Sequence, residues 1–304
     1  MEERQGGITA LITAYARAYH ATHDSPKIFD DFLADQLYTP EEHALFEQNL
    51  AMNLKDIDAD LAAAQPDQAT ALARVMQLHY APVTLSRSRY SEDCLEQAIQ
   101  QGVQQYIILG AGFDTFAFRR PELAGRLQVF EVDHPVTQAQ KRQRMAYAGW
   151  EMPAHLHLVP IDFTKESLSA ALQRSSYRAE KLSFFSWLGV TFYLGEAVVF
   201  ATLQAISAMA AKGSPVVFDY MDADAFVPEK AGLRVQLMQR TAGMVGEPMK
   251  GGFDPQTLGG KLERAGFHLE ENLGPAEIEA RYFQGRHDRY HAFEHIHFAR
   301  AVVA

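Results

Sequence analysis

Residues 106–120 read YIILGAGFDTFAFRR, and the character of the chain changes in the middle of this stretch. Four apolar side chains, residues 106–109, are followed by Gly110, Ala111 and Gly112, and then by Asp114. A short apolar run that ends in glycine is typical of a buried strand. Glycine also lets the backbone turn tightly and approach a ligand with no Cβ between them. The stretch therefore predicts a strand followed by a ligand-binding turn.

The same strand signal recurs along the rest of the chain. Six further runs are short and apolar or alternate in polarity: LQVFEVD (127–133), LHLVPID (156–162), LSFFSWLG (182–189), PVVFDYM (215–221), HLEENLG (268–274) and HIHFARAVV (295–303). Helical patterns lie between most of them, at 136–148, 165–174, 195–212 and 255–266. Strands that alternate with helices form parallel sheets joined by right-handed crossovers. The fold class is therefore α/β, with a doubly wound, mostly parallel sheet of seven strands.

The first hundred residues differ because they are mostly helical. Apolar periodicity predicts helices at 7–20, 40–53 and 67–102, the last in two pieces broken near Pro82. Thr39-Pro40 followed by two glutamates is typical of a helix start. We expect an N-terminal helical cap (1–100) and an α/β domain (101–304) with a lid insertion at about 223–252. The residues expected to make this cover apolar are Tyr15, Tyr19, Phe226, Met238 and Met244.

Composition narrows the class of protein. The chain has 304 residues, of which 47% are hydrophobic and 22% charged, as expected for a folded globular protein. Its net charge of −10, with no dense basic block, disfavours a nucleic-acid partner. Cys94 is the only cysteine, which excludes an internal disulfide and a cysteine zinc cluster. No signal peptide and no apolar run of membrane-spanning length is visible, so we expect a cytoplasmic monomer or homodimer.

An acid that follows the second strand indicates the kind of ligand. Asp133 lies 133 − 112 = 21 residues after Gly112, the spacing at which a carboxylate accepts hydrogen bonds from ribose hydroxyls. Thr115 stands where a dinucleotide fingerprint would have its third glycine. The pattern favours a ribose-containing ligand without phosphates, such as S-adenosylmethionine, over a nicotinamide cofactor or a plain structural turn. Asp114, next to the turn, is a further candidate for this site.

Five blocks in the right order resemble the leucine carboxyl methyltransferase family. These blocks are SRSRYSEDCL (86–95), ILGAGFDTFAFR (108–119), VFEVDHPVTQAQKRQRM (129–145), SWLGVTFYL (186–194) and GEPMKGGFDP (246–255). The likeness covers about residues 80–270. The family includes bacterial O-methyltransferases of secondary metabolism. It implies the sheet of class I methyltransferases and S-adenosylmethionine as methyl donor. One departure is Leu188, which stands where the family usually has glutamate.

The resemblance also implies roles for individual residues. Arg87 would pair with the methionine carboxylate, because a guanidinium offers a two-pronged donor, and Arg89 is the alternative. Gly110 would lie against the methionine part, and Asp133 would hold the ribose. Asp162, at the end of the third strand, would accept a hydrogen bond from the adenine amino group. The alternative for Asp162 is a cap for the helix that follows it.

The acceptor of the methyl group is less clearly marked. Candidates near strand ends are His134, Tyr193, Asp219 and Tyr220, each of which also has a purely structural interpretation. A carboxylate acceptor needs no base, whereas a hydroxyl acceptor does. We therefore expect an O-methyltransferase that acts on a carboxylate or hydroxyl of a small molecule. The alternatives are a methyltransferase of protein C-terminal carboxylates and a non-catalytic S-adenosylmethionine-binding partner.

Four histidines near the C-terminus raise the question of a metal. They are His287, His291, His295 and His297. The last two alternate within an apolar run, as on one face of a strand, and no cysteine or clear carboxylate partner accompanies them in the sequence. We therefore predict no metal site.

Overall fold

A computed structural model of the chain describes residues 7–163 and 165–304. Its centre is one sheet in the order β3-β2-β1-β4-β5-β7-β6, in which β1 to β5 are parallel and β7 is antiparallel to both of its neighbours. The seven strands are β1 (Gln105–Leu109), β2 (Gln128–Asp133), β3 (Leu156–Pro160), β4 (Ser183–Trp187), β5 (Pro215–Met221), β6 (Phe267–Leu273) and β7 (Ile296–Val303). The predicted doubly wound, mostly parallel sheet is confirmed.

Helices cover both faces of this sheet. They are α1 (Ile8–His23), α2 (Pro40–Ala51), α3 (Leu54–Ile57), α4 (Ala59–Ala63), α5 (Gln68–Val75), α6 (Ala81–Gln100), α7 (Phe116–Arg119), α8 (Pro135–Tyr147), α9 (Leu168–Gln173), α10 (Glu196–Met209), α11 (Leu233–Met244), α12 (Leu258–Arg264) and α13 (Pro275–Ile278). Short 3₁₀ or π turns occupy Ala34–Leu37, Met76–Tyr80, Pro121–Leu123, Thr191–Tyr193, Ala223–Phe226 and Glu279–Phe283. Residues 1–6 of the predicted cap lie outside the described residues.

Two predicted helix boundaries have clear local causes. The Thr39 side chain accepts a hydrogen bond from the backbone N–H of Glu42, and the Glu42 carboxylate accepts one from Thr39, so the predicted start of α2 is confirmed. Near Pro82, where a break is predicted, the structure has a change of helix type instead, because the backbone torsions stay helical at Val75, Tyr80 and Ala81. A π turn over Met76–Tyr80 ends there, and α6 begins with Pro82 in its first turn, where a missing N–H costs little.

The cap and the sheet share one hydrophobic core. A single cluster joins buried cap residues such as Tyr15 and Leu72 to Tyr106 and Phe184 of the sheet. A second cluster fills the opposite face, under α9, α10 and α12. The cap therefore packs on one face of the sheet with apolar surface that neither part could bury alone.

The predicted composition of the cover is partly wrong. Tyr15 and Tyr19 are buried inside the cap, and Met244 is 80% exposed on α11. Of the five residues expected to form an apolar cover, only Met238 lines the cavity at the strand ends. In the described ranges no helix is long and apolar enough to cross a membrane.

Candidate active site

A cavity of about 1950 Å³ lies at the carboxyl ends of β1, β2 and β4. Its floor is the glycine turn after β1, residues 108–114, together with residues 186–190 after β4. Its roof comes from two places, α1 of the cap and the segment from Met238 to Lys250. Carboxyl ends of parallel strands are where open α/β sheets bind ligands. The cavity therefore joins the predicted donor turn to the two segments predicted to cover it.

The turn after β1 requires both of its glycines. Gly110 and Gly112 have φ angles of +68° and +53°, in the left-handed region that side chains rarely adopt. A Cβ on Gly110 would also lie 2.7 Å from Cγ2 of Val190. The predicted tight turn is confirmed, and its backbone lies open to the cavity.

Asp133 holds the turn and faces the cavity at the same time. Its Oδ2 accepts a hydrogen bond from the N–H of Gly112 at 2.6 Å, and its Oδ1 accepts one from the N–H of His134 at 2.6 Å. Burial raises the pKa of this carboxyl, and the two N–H groups oppose that rise. Asp114 binds locally, since its Oδ1 accepts from the N–H of Phe116 at 2.7 Å. Both acids line the cavity, and their contact with a cofactor stays a prediction.

Arg87 enters the cavity from α6 and is held in place from behind. Its Nη1 lies 3.1 Å from Oδ2 of Asp219, a fully buried carboxylate that also accepts from the N–H of Gly189 at 2.6 Å. The guanidinium lies directly over Gly189, where a Cβ would be 2.5 Å from Nη2. Arg89 instead pairs with Asp93 on the surface. Of the two predicted arginines, Arg87 is the one in the site.

Asp162, the candidate for the adenine contact, and His134, a candidate for the acceptor contact, both line the cavity. Asp162 lines it, with one carboxylate oxygen 2.8 Å from Nζ of Lys165 and 4.0 Å from Nε2 of His134. Helix α9 begins at Leu168, and its N-terminal cap is Ser167, so the alternative role of Asp162 as the cap of that helix is wrong. The ring of His134 accepts from the N–H of Val136 at 3.3 Å and thus caps α8.

Of the two candidate tyrosines, only Tyr193 lies at the cavity. Tyr193 lines the cavity, and burial raises the pKa of its phenol to about 12, so it stays protonated at neutral pH. Tyr220 is fully buried on the other face of the sheet, stacks on His297 and donates to Oδ1 of Asn272 at 3.0 Å. The prediction that Tyr220 contacts the acceptor is therefore wrong. Asp219 is fully buried, contacts Arg87 and the N–H of Gly189, and does not line the cavity.

The C-terminal histidines are held by carboxylates elsewhere. Nδ1 of His295 lies 2.8 Å from Oδ1 of Asp222, and Nε2 of His297 lies 3.3 Å from Oδ2 of the same residue. His295 has a φ of +66° and directly precedes β7. The prediction that His295 belongs to this strand is therefore wrong. Within residues 7–163 and 165–304, no group of three or more histidine, cysteine, aspartate or glutamate side chains could hold a metal ion.

One residue of the cavity wall could not have been predicted from the sequence. His79 is 4% exposed, lines the cavity, and its Nδ1 has no hydrogen-bond partner in the part of the chain that the structure describes. Burial, with a smaller contribution from the charge of Arg234, lowers its pKa to about 4. It lies in the π turn Met76–Tyr80, and such turns often occur at functional sites.

This buried imidazole predicts a pH effect on stability. A histidine with a folded pKa near 4 takes up a proton on unfolding between that value and 6.5, so acid destabilises the fold over this window. We expect His79→Phe to remove on the order of 3 kcal/mol of this loss. Urea unfolding at several pH values measures it. Parallel pH curves for the variant and the parent would contradict the prediction.

The sheet and its strand-end site define a class I S-adenosylmethionine-dependent methyltransferase. The antiparallel β7 beside β5, the glycine turn after β1 and the acid ending β2 together set this class. The chain belongs to the leucine carboxyl methyltransferase family, whose profile matches residues 10–207.

Relatives agree with this assignment, and a solved structure shares the fold. The chain is 39% identical over 303 residues to YktD of Bacillus subtilis (strain 168), provisionally named an S-adenosyl-L-methionine-dependent methyltransferase, and the match covers 99% of each protein. A Mycolicibacterium gilvum protein with the same provisional name is 29% identical over 71% of this chain and 66% of its own. A DUF574 family protein from Streptomyces avermitilis shares the fold, with a TM-score of 0.57 and 12% identity over 96% of this chain and 97% of its own.

Proposed function

We propose that this protein transfers the methyl group of S-adenosylmethionine to a carboxylate oxygen of a small molecule. The observation that carries the proposal is the single cavity of about 1950 Å³, which contains the donor turn and continues to the cap and the insertion. Sites for one drug-sized ligand are about 300–1,000 Å³. The cavity therefore has room for a donor and an acceptor together.

The residues at the strand ends account for the binding of the methyl donor. Gly110 and Gly112 let the donor approach the backbone, Asp133 binds the ribose hydroxyls, and Asp162 takes the adenine amino group. Arg87 pairs with the donor's carboxylate. When bound, S-adenosylmethionine supplies an electrophilic methyl group on a sulfonium. The protein contributes alignment of the two molecules and exclusion of water.

The residues of the cavity wall favour a methyl acceptor whose oxygen is already ionised. Tyr193 remains a protonated phenol, and His79 is too weakly basic to take a proton at neutral pH. Tyr193 is thus suited to donate a hydrogen bond to the acceptor, not to deprotonate it. A hydroxyl acceptor would need a base that these two residues do not offer. The family's own name, leucine carboxyl methyltransferase, points to carboxyl methylation as well.

Donor binding is tested with S-adenosylhomocysteine, the product of the donor. We expect calorimetry to show binding that EDTA does not change, and Asp133→Ala to weaken it by about 1–3 kcal/mol because ribose hydroxyls are left unpaired. Asp30→Ala is the matched control, since Asp30 pairs with Lys27 on the surface. Tighter binding of NAD than of S-adenosylhomocysteine would contradict the assignment.

The acceptor is tested by the chemistry of its product. Methyl-labelled S-adenosylmethionine is incubated with the protein and a cell extract divided by size into small molecules and proteins. A methyl ester releases labelled methanol in alkali, whereas a methyl ether does not. We expect alkali-labile label in the small-molecule fraction. Stable label would indicate a hydroxyl acceptor, and label in the protein fraction would support the protein C-terminal carboxylate instead.

A further inference from the structure

The carboxylate of Asp31 is the least exposed acid in the part of the cap that the structure describes. It is 1% exposed and lies between α1 and α2. Its Oδ2 accepts from Nε of Arg17 at 2.8 Å. Its Oδ1 accepts from Oγ1 of Thr115 at 2.6 Å and lies 3.3 Å from Nε of Arg119. One cap carboxylate thus contacts α1 and two positions that follow the donor turn.

The same network reaches the backbone of the donor turn. Nη2 of Arg17, whose side chain lines the cavity, donates to the carbonyl of Phe113 at 2.8 Å. The ring of contacts is completed by Nε of Arg119, which donates to Oγ1 of Thr115 at 2.9 Å. A Cβ on Gly112 would lie 3.2 Å from the Cβ of Ala10, so α1 also packs against the turn itself. The cap and the turn are therefore in direct polar and steric contact.

The charges in this contact compensate one another. Although burial opposes it, Arg17 and Arg119 hold the pKa of the Asp31 carboxyl below its usual value, so the group is ionised. The side chain of Arg119 is 6% exposed, and it also pairs with Glu92 on α6. Removing one member of a buried ionic group leaves an uncompensated charge, so a substitution in this group is expected to disturb the contact between the cap and the turn.

We propose that Asp31 is a positioning residue that couples the N-terminal helices to the donor turn, so that donor binding and ordering of the cap favour each other. The inference rests on the proposed function, because it takes the turn as the donor site. Coupling of this kind is reciprocal. If the cap holds the turn in its binding conformation, then a bound donor must in turn stabilise α1.

The experiment measures both directions of this coupling with S-adenosylhomocysteine as the probe. Calorimetry gives its affinity, and hydrogen exchange gives the protection that it confers on α1. The variants are Asp31→Asn, which breaks the ionic group, and Thr115→Val, which removes only the hydroxyl that joins Asp31 to the turn. Thr115→Ser keeps that hydroxyl. Asp58→Asn is the control within the cap, since Asp58 pairs with Arg74 and caps α4 away from the cavity.

We expect Thr115→Val to weaken binding about tenfold and to reduce the protection of α1 by the probe, while Thr115→Ser and Asp58→Asn leave both close to the parent values. Under conditions in which Asp31→Asn is folded, it should weaken binding and reduce the protection of α1 more than Thr115→Val does. Parent-like affinity and protection in Thr115→Val would overturn the inference. So would an equal loss in Asp58→Asn. If the parent itself does not bind the probe, the proposed function is wrong.

Discussion

Replacing Arg87 by alanine is expected to weaken S-adenosylhomocysteine binding by roughly 1.5–3 kcal/mol, or about 10–150-fold. The guanidinium is only 12% exposed, lies over Gly189 at the end of β4, and is aimed into the cavity by Asp219. A charge-assisted bond to a carboxylate in such a site is stronger than one in water. Calorimetric titration of the variant with S-adenosylhomocysteine measures the loss.

Arg89→Ala is the matched control, two residues further along the same helix. Arg89 pairs with Asp93 on the surface, and surface substitutions usually change stability by less than about 0.5 kcal/mol. Arg87→Ala also leaves Asp219 buried without its cation, so a loss of folding stability is expected beside the loss of affinity. Arg87→Ala/Asp219→Asn should recover stability but not affinity. Equal donor affinities for the two alanine variants would assign the carboxylate contact to neither arginine.

The donor turn could be predicted because its cause is local. The glycines after β1 and the acid after β2 are set by the strand pattern, and the carboxyl ends of neighbouring parallel strands meet at one edge. Gly110, Gly112 and Asp133 therefore lie together, as expected from spacing alone. The adenine-side Asp162 lies at the same edge for the same reason.

The acceptor side could not be predicted as well, because its causes are tertiary. Asp219 and Tyr220 are neighbours on β5, but successive side chains of a strand point to opposite faces. Only packing decides that Asp219 turns toward Arg87 and Tyr220 turns away. His79 depends on a π turn that has no sequence signature, and another part of the cavity wall comes from an insertion far along the chain.

Leu188 stands where the family usually has glutamate. The sequence shows the loss of an acid that the resemblance places at this position, and it offers no replacement nearby. In the structure, the neighbouring strand β5 brings Asp219 to the N–H of Gly189, the residue after Leu188. A negative charge is thus present beside this strand end after all, supplied from 31 residues further along the chain (219 − 188 = 31). Sequence blocks read one at a time cannot show this contact between two strands.

Lys141→Met is expected to cost about 3–5 kcal/mol of folding stability at about pH 8, because it leaves Glu131 uncompensated. Both side chains are 1% exposed, and Nζ of Lys141 contacts Oε2 of Glu131. The same ammonium donates to the carbonyl of Asp114 at 2.6 Å, so it also supports the donor turn. Urea unfolding of parent and variant measures the loss.

The pH dependence of this loss distinguishes a missing charge from a missing contact. Burial raises the pKa of Glu131 to about 7 even though Lys141 opposes the rise, so removal of the lysine raises it further. A buried acid with a raised pKa binds a proton more readily in the folded state, and stability therefore falls as pH rises from the unfolded pKa of 4.5 through the folded one. The variant should thus lose less stability at about pH 5.5 than at about pH 8. Glu131→Leu/Lys141→Met, which removes both charges, should recover most of the loss at either pH. An equal loss at both pH values, unrelieved in the double variant, would mean that the bond to the Asp114 carbonyl, and not the buried charge, accounts for the stability.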